Sequence, residues 1–256
     1  MNRLKQAFAE LDRKHQKAFV PYIMAGDGGI ETLKDKLKIL EEMGATAIEI
    51  GVPFSDPVAD GPTIQQAGIR ALQNGTSLTK IIEELSIIRN SLSVPILLMT
   101  YLNPIYSYGI QRFVENIQIA GVDGCIIPDL PLEEEEIIVP MLNKANIQLI
   151  RLVTLTTPLE RIKFISQKGE GFLYAVTIKG TTGVRNNFEQ ELSGFLKSVK
   201  EMSPIPVLAG FGISDEKQIK EISLHCDGVI VGSKIIECFQ NGDIESLEKL
   251  VSTLKF

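Results

Sequence analysis

The stretch TAIEIGVPFSDPVADGPTIQQAGIRALQ, residues 46–73, contains a strand, a loop and a helix in succession. Its first part is short, apolar apart from Glu49 and ends at glycine, as a strand of a parallel sheet does. The loop contains Pro53, Pro57 and Pro62, which limit its backbone freedom, and Pro62 suits the first position of a helix. A strand followed directly by a helix is the repeating unit of an α/β fold.

The same pattern recurs along the chain. We predict helices over 31–44 and 186–202, a short N-terminal helix, and a solvent-exposed helix start at the EEEE run 133–136. The predicted strands are 19–24, 46–51, 95–100, 123–127, 147–152, 171–176, 205–210 and 227–231. Eight units in 256 residues favour a single α/β domain over 1–256, a (β/α)8 TIM barrel with its active site at the C-terminal ends of the strands. A doubly wound open sheet is the alternative.

Composition narrows the classes of function. The net charge of −6 disfavours nucleic acid and anionic membranes as partners, and an anionic substrate would need a local binding site. No apolar run approaches the length of a membrane span, and the charged N-terminus does not resemble a signal peptide, so we expect a cytoplasmic protein. Cys125, Cys226 and Cys238 show no paired spacing, and with only His15 and His225 as histidines we expect no metal site.

Glu49 is a carboxylate where the pattern expects an apolar residue. Side chains alternate along a strand, so if Ile48 and Ile50 face the helices, Glu49 faces the barrel interior. Loss of hydration there raises the pKa of a carboxyl group towards values useful for proton transfer. The alternative is a structural ion pair, for which Arg151 in the fifth strand is the candidate. The cost of an unpaired buried charge favours function.

Asp60 closes the loop after that strand, and its position has two interpretations. It can be the N-cap of the following helix or a catalytic group, and spacing alone does not separate them. Asp56, in the middle of the same loop beside Pro57, fits a turn.

Glycine-rich turns follow the seventh and eighth strands, at 209–214 (AGFGIS) and 231–234 (VGSK). Glycine lets main-chain N–H groups approach a ligand, and barrels frequently bind phosphate at these two loops. The polar, glycine-rich segment 179–187 after the sixth strand has the composition of either a mobile lid or a plain loop.

The sequence resembles the tryptophan synthase alpha-subunit family over nearly its whole length. The segment AIEIGVPFSDPVADGPTIQ at 47–65 is similar to a signature of that family. Further similar segments follow in the same order: PYIMAGD at 21–27, PILLMTYLNPI at 95–105, GVDGCIIPDLP at 121–131, AGFGIS at 209–214 and GSKII at 232–236. The chain departs from the family pattern at Gly28 and at Thr181, where proline and valine are common.

The resemblance implies retro-aldol cleavage of indole-3-glycerol phosphate into indole and glyceraldehyde 3-phosphate, without metal or organic cofactor. It implies that Glu49 is the general acid and base, and that Asp60 accepts the indole N–H and stabilises positive charge on the ring. The chemistry is consistent with this pair. The carbon–carbon bond breaks once indole C3 is protonated, and the adjacent hydroxyl then loses its proton.

The resemblance also assigns contacts. It places the phosphate at Gly183, Gly212, Gly232 and Ser233, and the indole pocket with its supports at Tyr22, Leu98, Tyr101, Asp129, Tyr174, Thr182 and Phe211. It further implies an α2β2 complex in which only the beta subunit carries pyridoxal phosphate. The expected docking residues are Pro53, Asp56, Asn103 and Pro104.

Two other functions stay open on the sequence. One is a stand-alone barrel enzyme acting on a related sugar or indole phosphate, because barrels host many chemistries. The usual members of that class carry a lysine base inside the barrel, and no predicted strand has a lysine at its inner C-terminal end. The other is a non-catalytic partner subunit, which the presence of both carboxylates disfavours.

Overall fold

The eight strands pair in chain order and β8 pairs again with β1, so the parallel sheet closes into a barrel. A computed structural model describes residues 2–177, 185–210 and 216–252. The strands are β1 (Ala18–Met24), β2 (Ile48–Gly51), β3 (Ile96–Met99), β4 (Gly124–Ile126), β5 (Gln148–Thr154), β6 (Leu173–Val176), β7 (Val207–Gly210) and β8 (Gly228–Val231). The predicted TIM barrel is confirmed, and closure excludes the open sheet.

Helices surround the barrel and cover it on the outside. They are α1 (Arg3–Lys14), α2 (Leu33–Glu42), α3 (Pro62–Gln73), α4 (Leu78–Ile88), α5 (Leu102–Tyr108), α6 (Ile110–Ile119), α7 (Val139–Lys144), α8 (Leu159–Gln167), α9 (Arg185–Met202), α10 (Glu216–Ser223), α11 (Ser233–Asn241) and α12 (Ile244–Ser252). Pro62 is the first residue of α3, as predicted. In the part of the chain that the structure describes, no helix is long and apolar enough to span a bilayer.

Strand alternation divides the core into two layers. Tyr22, Glu49 and Leu97 are register partners across β1, β2 and β3. Tyr22 and Leu97 pack in the apolar cluster of the barrel interior. Ile50, which follows Glu49 in the chain, and Leu98, which follows Leu97, instead pack in the cluster between strands and helices. Register partners on parallel strands face the same side, so Glu49 faces the interior.

Helix α1 closes the end of the barrel at which the strands begin. Leu4 is fully buried and belongs to the interior cluster. The Asn2 side chain donates hydrogen bonds to the main-chain carbonyls of Asp123, just before β4, and of Asn146, two residues before β5. The opposite end of the strands is where the loops with the predicted functional residues emerge.

One ion pair lies in the outer layer. Arg151 of β5 faces the helices and bonds the carboxylate of Glu135 with an N–O distance of 2.7 Å. Glu135 belongs to a 3-10 segment, Leu132–Ile137, and both side chains are about nine-tenths buried. The prediction of a solvent-exposed acidic run is therefore wrong for Glu135, because the short helix turns this carboxylate towards Arg151.

Candidate active site

Glu49 is the second of the four residues of β2 and is completely buried. Neither of its carboxyl oxygens has a hydrogen-bond partner among the residues that the structure describes. Arg151, the partner considered in the sequence, is engaged with Glu135 on the other side of the sheet. Burial first, and then the charge of Asp60, raise the pKa of Glu49 to about 8. Glu49 is therefore a protonated acid at neutral pH.

Asp60 lies in the loop between β2 and α3 and is not the helix cap. The N-cap of α3 is Gly61, and no side chain caps the helix there. The capping interpretation of Asp60 is thus wrong, because the helix begins one residue later than that role requires. Burial raises the pKa of Asp60 to about 6, while a hydrogen bond with Tyr101 acts in the opposite direction. Asp60 is therefore mostly ionised at pH 7.

Tyr101 joins the loop after β3 to the loop after β2. Its hydroxyl accepts a hydrogen bond of 2.9 Å from the N–H of Ala59 and also bonds the Asp60 side chain. Its ring packs against that of Phe54, with ring centroids 5.2 Å apart. The side chain is almost fully buried, so Tyr101 fixes the loop that carries Asp60.

Tyr22 and Tyr174 also face the interior, on β1 and β6. The prediction that Leu98 lines the pocket is wrong, because Leu98 packs under the helices with Ile48 and Ile50. The interior position at the end of β3 is Met99, the register partner of Gly51. Sequence reasoning missed Met99, because β3 is apolar throughout and the direction of its side chains is known only once Leu97 is paired with Glu49.

Asp129 is exposed and has a supporting position rather than a place in the pocket wall. Its carboxylate accepts a hydrogen bond of 2.9 Å from the N–H of Leu102, the first residue of α5. An acceptor at this position satisfies one of the free N–H groups of a helix N-terminus. Asp129 therefore ties the loop after β4 to the start of α5.

The turn after β8 contains Gly232 and Ser233, the two predicted phosphate-binding residues that the structure describes. Gly232 is the N-cap of α11 and Ser233 is its first residue. A Cβ added to Gly232 would lie 3.3 Å from Ile64 and 3.5 Å from Tyr22, so this turn borders the interior beside Tyr22. Four further predicted site residues, Thr182, Gly183, Phe211 and Gly212, and most of the segment 179–187, lie outside the described residues.

The predicted docking residues lie on two adjacent segments. Asp56 and Asn103 are exposed, Pro104 is half-buried and Pro53 is buried. The Ala59–Tyr101 bond holds the two segments together. The same segments expose two apolar side chains, Val58 at 85% and Tyr106 at 53%. The structure thus brings these residues to one rim of the barrel, with Pro53 beneath the surface.

The arrangement combines two carboxyl groups in different protonation states with tyrosine rings and a glycine turn. One acid is neutral and the other is anionic at neutral pH, because their burial differs. Such a pair can donate a proton to one atom of a bound molecule while it stabilises positive charge on another.

The comparisons with known proteins agree with one another. A sequence model of the family described as tryptophan synthase alpha chain matches residues 8–255. The tryptophan synthase alpha chain of Bacillus anthracis (strain CDC 684 / NRRL 3495) is 51% identical over 255 residues, which cover 100% of this chain and 97% of that protein. The alpha chain of Bacillus mycoides (strain KBAB4) is 53% identical over 240 residues, 94% of this chain and 93% of that protein.

Solved structures give the same picture. Tryptophan synthase subunit alpha from Legionella pneumophila str. Paris superposes with a TM-score of 0.88 at 33% identity, covering 99% of this chain and 97% of that chain. Tryptophan synthase subunit alpha from Campylobacter jejuni gives a TM-score of 0.83 at 32% identity, covering 93% and 96%.

Proposed function

The chain belongs to the tryptophan synthase alpha chain family, and from this premise we propose that Glu49 and Asp60 are its catalytic pair. The protein is a carbon–carbon lyase of tryptophan biosynthesis, which cleaves indole-3-glycerol phosphate into indole and glyceraldehyde 3-phosphate. The observation that carries the proposal is the fully buried Glu49 carboxyl group, neither of whose oxygens has a hydrogen-bond partner among the described residues. Burial raises its pKa to about 8, while that of Asp60 is raised to about 6.

Glu49 acts first as the acid. It gives its proton to C3 of the indole ring, which leaves the ring positively charged. The bond between C3 and the first side-chain carbon then breaks, and its electron pair restores the neutral aromatic ring. The hydroxyl on that carbon loses its proton to the Glu49 carboxylate and becomes the aldehyde. The acid is thereby regenerated.

Asp60 acts as the fixed anion. Its carboxylate accepts the indole N–H and stabilises the positive charge that protonation places on the ring. Its hydrogen bond with Tyr101 favours the ionised form, and the Tyr101–Ala59 bond holds the loop in place. A charge that is positioned before the reaction lowers the barrier without a cost of reorganisation.

The remaining proposed contacts concern the phosphate and the indole ring of the substrate. The main-chain N–H groups at Gly232 and Ser233 would bind the phosphate at the N-terminus of α11, where the helix dipole favours an anion. Tyr22, Tyr174 and Met99 would surround the apolar ring. Thr182, Gly183, Phe211 and Gly212 are proposed to complete the phosphate and indole contacts.

The chemistry needs no organic cofactor. A protonated indole ring is itself the electron sink for the breaking bond, and the acids supply the proton transfers. The alternative of a stand-alone enzyme with a lysine base would require a lysine inside the barrel. All eight strands are described, and none of them contains a lysine. The eight strands contain only two charged residues (Asp, Glu, Lys or Arg), and these are Glu49 and Arg151.

The family works with a beta subunit, and we propose an α2β2 complex in which that subunit carries pyridoxal phosphate. The docking face would be the rim formed by the loop with Asp56 and by α5 with Asn103 and Pro104. The exposed Val58 and Tyr106 support this assignment, because apolar and aromatic side chains are typical of the centre of an interface.

The decisive experiment measures indole release from indole-3-glycerol phosphate, with and without a beta subunit from the same source. We expect Glu49→Gln to abolish release, because an amide cannot donate or accept the proton. Glu133→Gln, at an exposed glutamate that is paired with Arg161, is the matched control and should retain activity. A folded Glu49→Gln protein with near wild-type turnover would refute the assignment. Binding of a beta subunit with no indole formed by the wild type would instead indicate a non-catalytic partner.

A further inference from the structure

Tyr22 extends across the interior between two parts of the proposed site. A Cβ added to Gly232 would lie 3.5 Å from the Cβ and Cδ1 of Tyr22, so the base of the side chain borders the turn after β8. A Cβ added to Gly51 would lie only 1.9 Å from the Tyr22 hydroxyl oxygen, so the far end of the ring lies over Gly51. The side chain therefore runs from the proposed phosphate turn to the end of β2.

The hydroxyl end lies beside the acids. Tyr22 and Glu49 are register partners on adjacent strands, with both side chains in the interior. Burial and the nearby charges of Asp60 and Glu49 raise the pKa of the Tyr22 hydroxyl well above its usual value. The group therefore keeps its proton and is a hydrogen-bond donor at every pH at which the enzyme works.

Packing alone does not explain a hydroxyl at this place. A phenylalanine would fill the same apolar volume, and Tyr22 is 95% buried. The hydroxyl oxygen occupies the space directly over the Cα of Gly51, which a side chain at that position would take.

The substrate has hydroxyl groups that can accept a hydrogen bond between its phosphate and its indole ring. Its phosphate and its indole C3 are joined by a three-carbon chain with two hydroxyls. With phosphate at Gly232–Ser233 and C3 at Glu49, that chain must pass along the Tyr22 side chain. We propose that the Tyr22 hydroxyl donates a hydrogen bond to a hydroxyl of the glycerol chain and so selects for hydroxylated substrates. This assignment rests on the proposed function of Glu49 and of the Gly232–Ser233 turn.

The test compares the binding of two ligands to two variants of the protein. Glu49→Gln and the double variant Glu49→Gln/Tyr22→Phe are titrated by calorimetry with indole-3-glycerol phosphate, which the Glu49→Gln background does not consume. The second ligand is an indole phosphate with a plain three-carbon chain without hydroxyls. Phenylalanine keeps the ring and removes only the oxygen, and thermal unfolding checks that both proteins fold alike.

We expect Tyr22→Phe to weaken binding of the glycerol phosphate about tenfold and to leave binding of the deoxygenated ligand unchanged. An equal loss for both ligands would assign Tyr22 to packing and overturn the proposal. No loss for either ligand would overturn it as well. Failure of the proposed function is seen separately, as the absence of indole release by the wild type or its persistence in Glu49→Gln.

Discussion

Tyr101 hydrogen-bonds the carboxyl group of Asp60 from the neighbouring loop, and the same hydroxyl accepts the Ala59 N–H at 2.9 Å. The bond stabilises the ionised form of Asp60. Tyr101→Phe should therefore raise the pKa of Asp60 above about 6. The acidic limb of the kcat/KM profile should move to higher pH, with a loss of roughly threefold to tenfold at pH 6.

The control for this prediction is the basic limb, which depends on Glu49 and should move little in Tyr101→Phe. Indole release measured from pH 5 to 9 provides both limbs in one series. An unchanged acidic limb would show that the Tyr101 hydroxyl does not act on Asp60 during the reaction.

The pH profile of the wild type should be bell-shaped. Asp60 must be ionised, so kcat/KM rises with pH through about 6. Glu49 must be protonated, so kcat/KM falls as pH rises through about 8. The maximum should lie near pH 7. A profile that is still rising at pH 9 would contradict the role of Glu49 as the acid.

Asp60→Asn separates the two interpretations of this residue. It should lower kcat by roughly 10²- to 10³-fold, the loss typical of one group that stabilises charge in the transition state. Stability should not fall through the loss of a helix cap, because Gly61 and not Asp60 is the N-cap of α3. At pH 7 it should rise, because burial raises the pKa of Asp60 to about 6 and the neutral amide avoids the cost of the ionised carboxylate. Urea unfolding and indole release measure the two effects. A loss of stability without a loss of rate would show that Asp60 has a structural role and not a catalytic one.

Glu49→Gln should change how stability depends on pH. The folded protein raises the pKa of Glu49 from 4.5 to about 8, so between these values the folded state binds more protons than the unfolded state. The contribution of this group is complete below pH 4.5 and is lost as pH rises through about 8. The variant should therefore gain stability over the wild type with rising pH, by on the order of a few kcal/mol at pH 8.5. Parallel denaturation curves at all pH values would contradict the burial of an ionisable Glu49.

Arg151→Met should destabilise the fold without changing the chemistry. It leaves Glu135 buried without its partner, which typically costs about 3–5 kcal/mol. The matched control is Arg151→Met/Glu135→Leu, which removes both charges and should recover most of the loss. Indole release per folded molecule should stay near wild type in both variants. A selective loss of kcat in Arg151→Met would show that Arg151 acts on Glu49 after all.

The sequence predicted the barrel because each strand is an apolar run between glycine, proline or polar residues. It also predicted the direction of Glu49, because a carboxylate between two isoleucines marks the period of two. It failed at Leu98. Leu97, Leu98 and Met99 are all apolar, so the pattern contains no signal of direction. Only the pairing of Leu97 with Glu49 settles which of them faces the interior.

Two other features depended on tertiary structure. In the EEEE run, composition does not indicate which carboxylate points inward. The orientation of the 3-10 segment Leu132–Ile137 places Glu135 towards Arg151. For Asp60, capping and catalysis require the same kind of residue at nearly the same place. The start of α3 at Pro62, with Gly61 before it, excludes the capping role.

The alternation of side chains along β3 also bears on the design of new substrate ranges. Met99 faces the interior, whereas Leu98 packs beneath the surrounding helices. A smaller residue at position 99 would enlarge the space for ring substituents, such as a halogen or a methyl group on the indole. The same replacement at position 98 would create a void beneath the surrounding helices and leave the ligand cavity as it was. Libraries for altered indoles should therefore vary Met99 and keep Leu98.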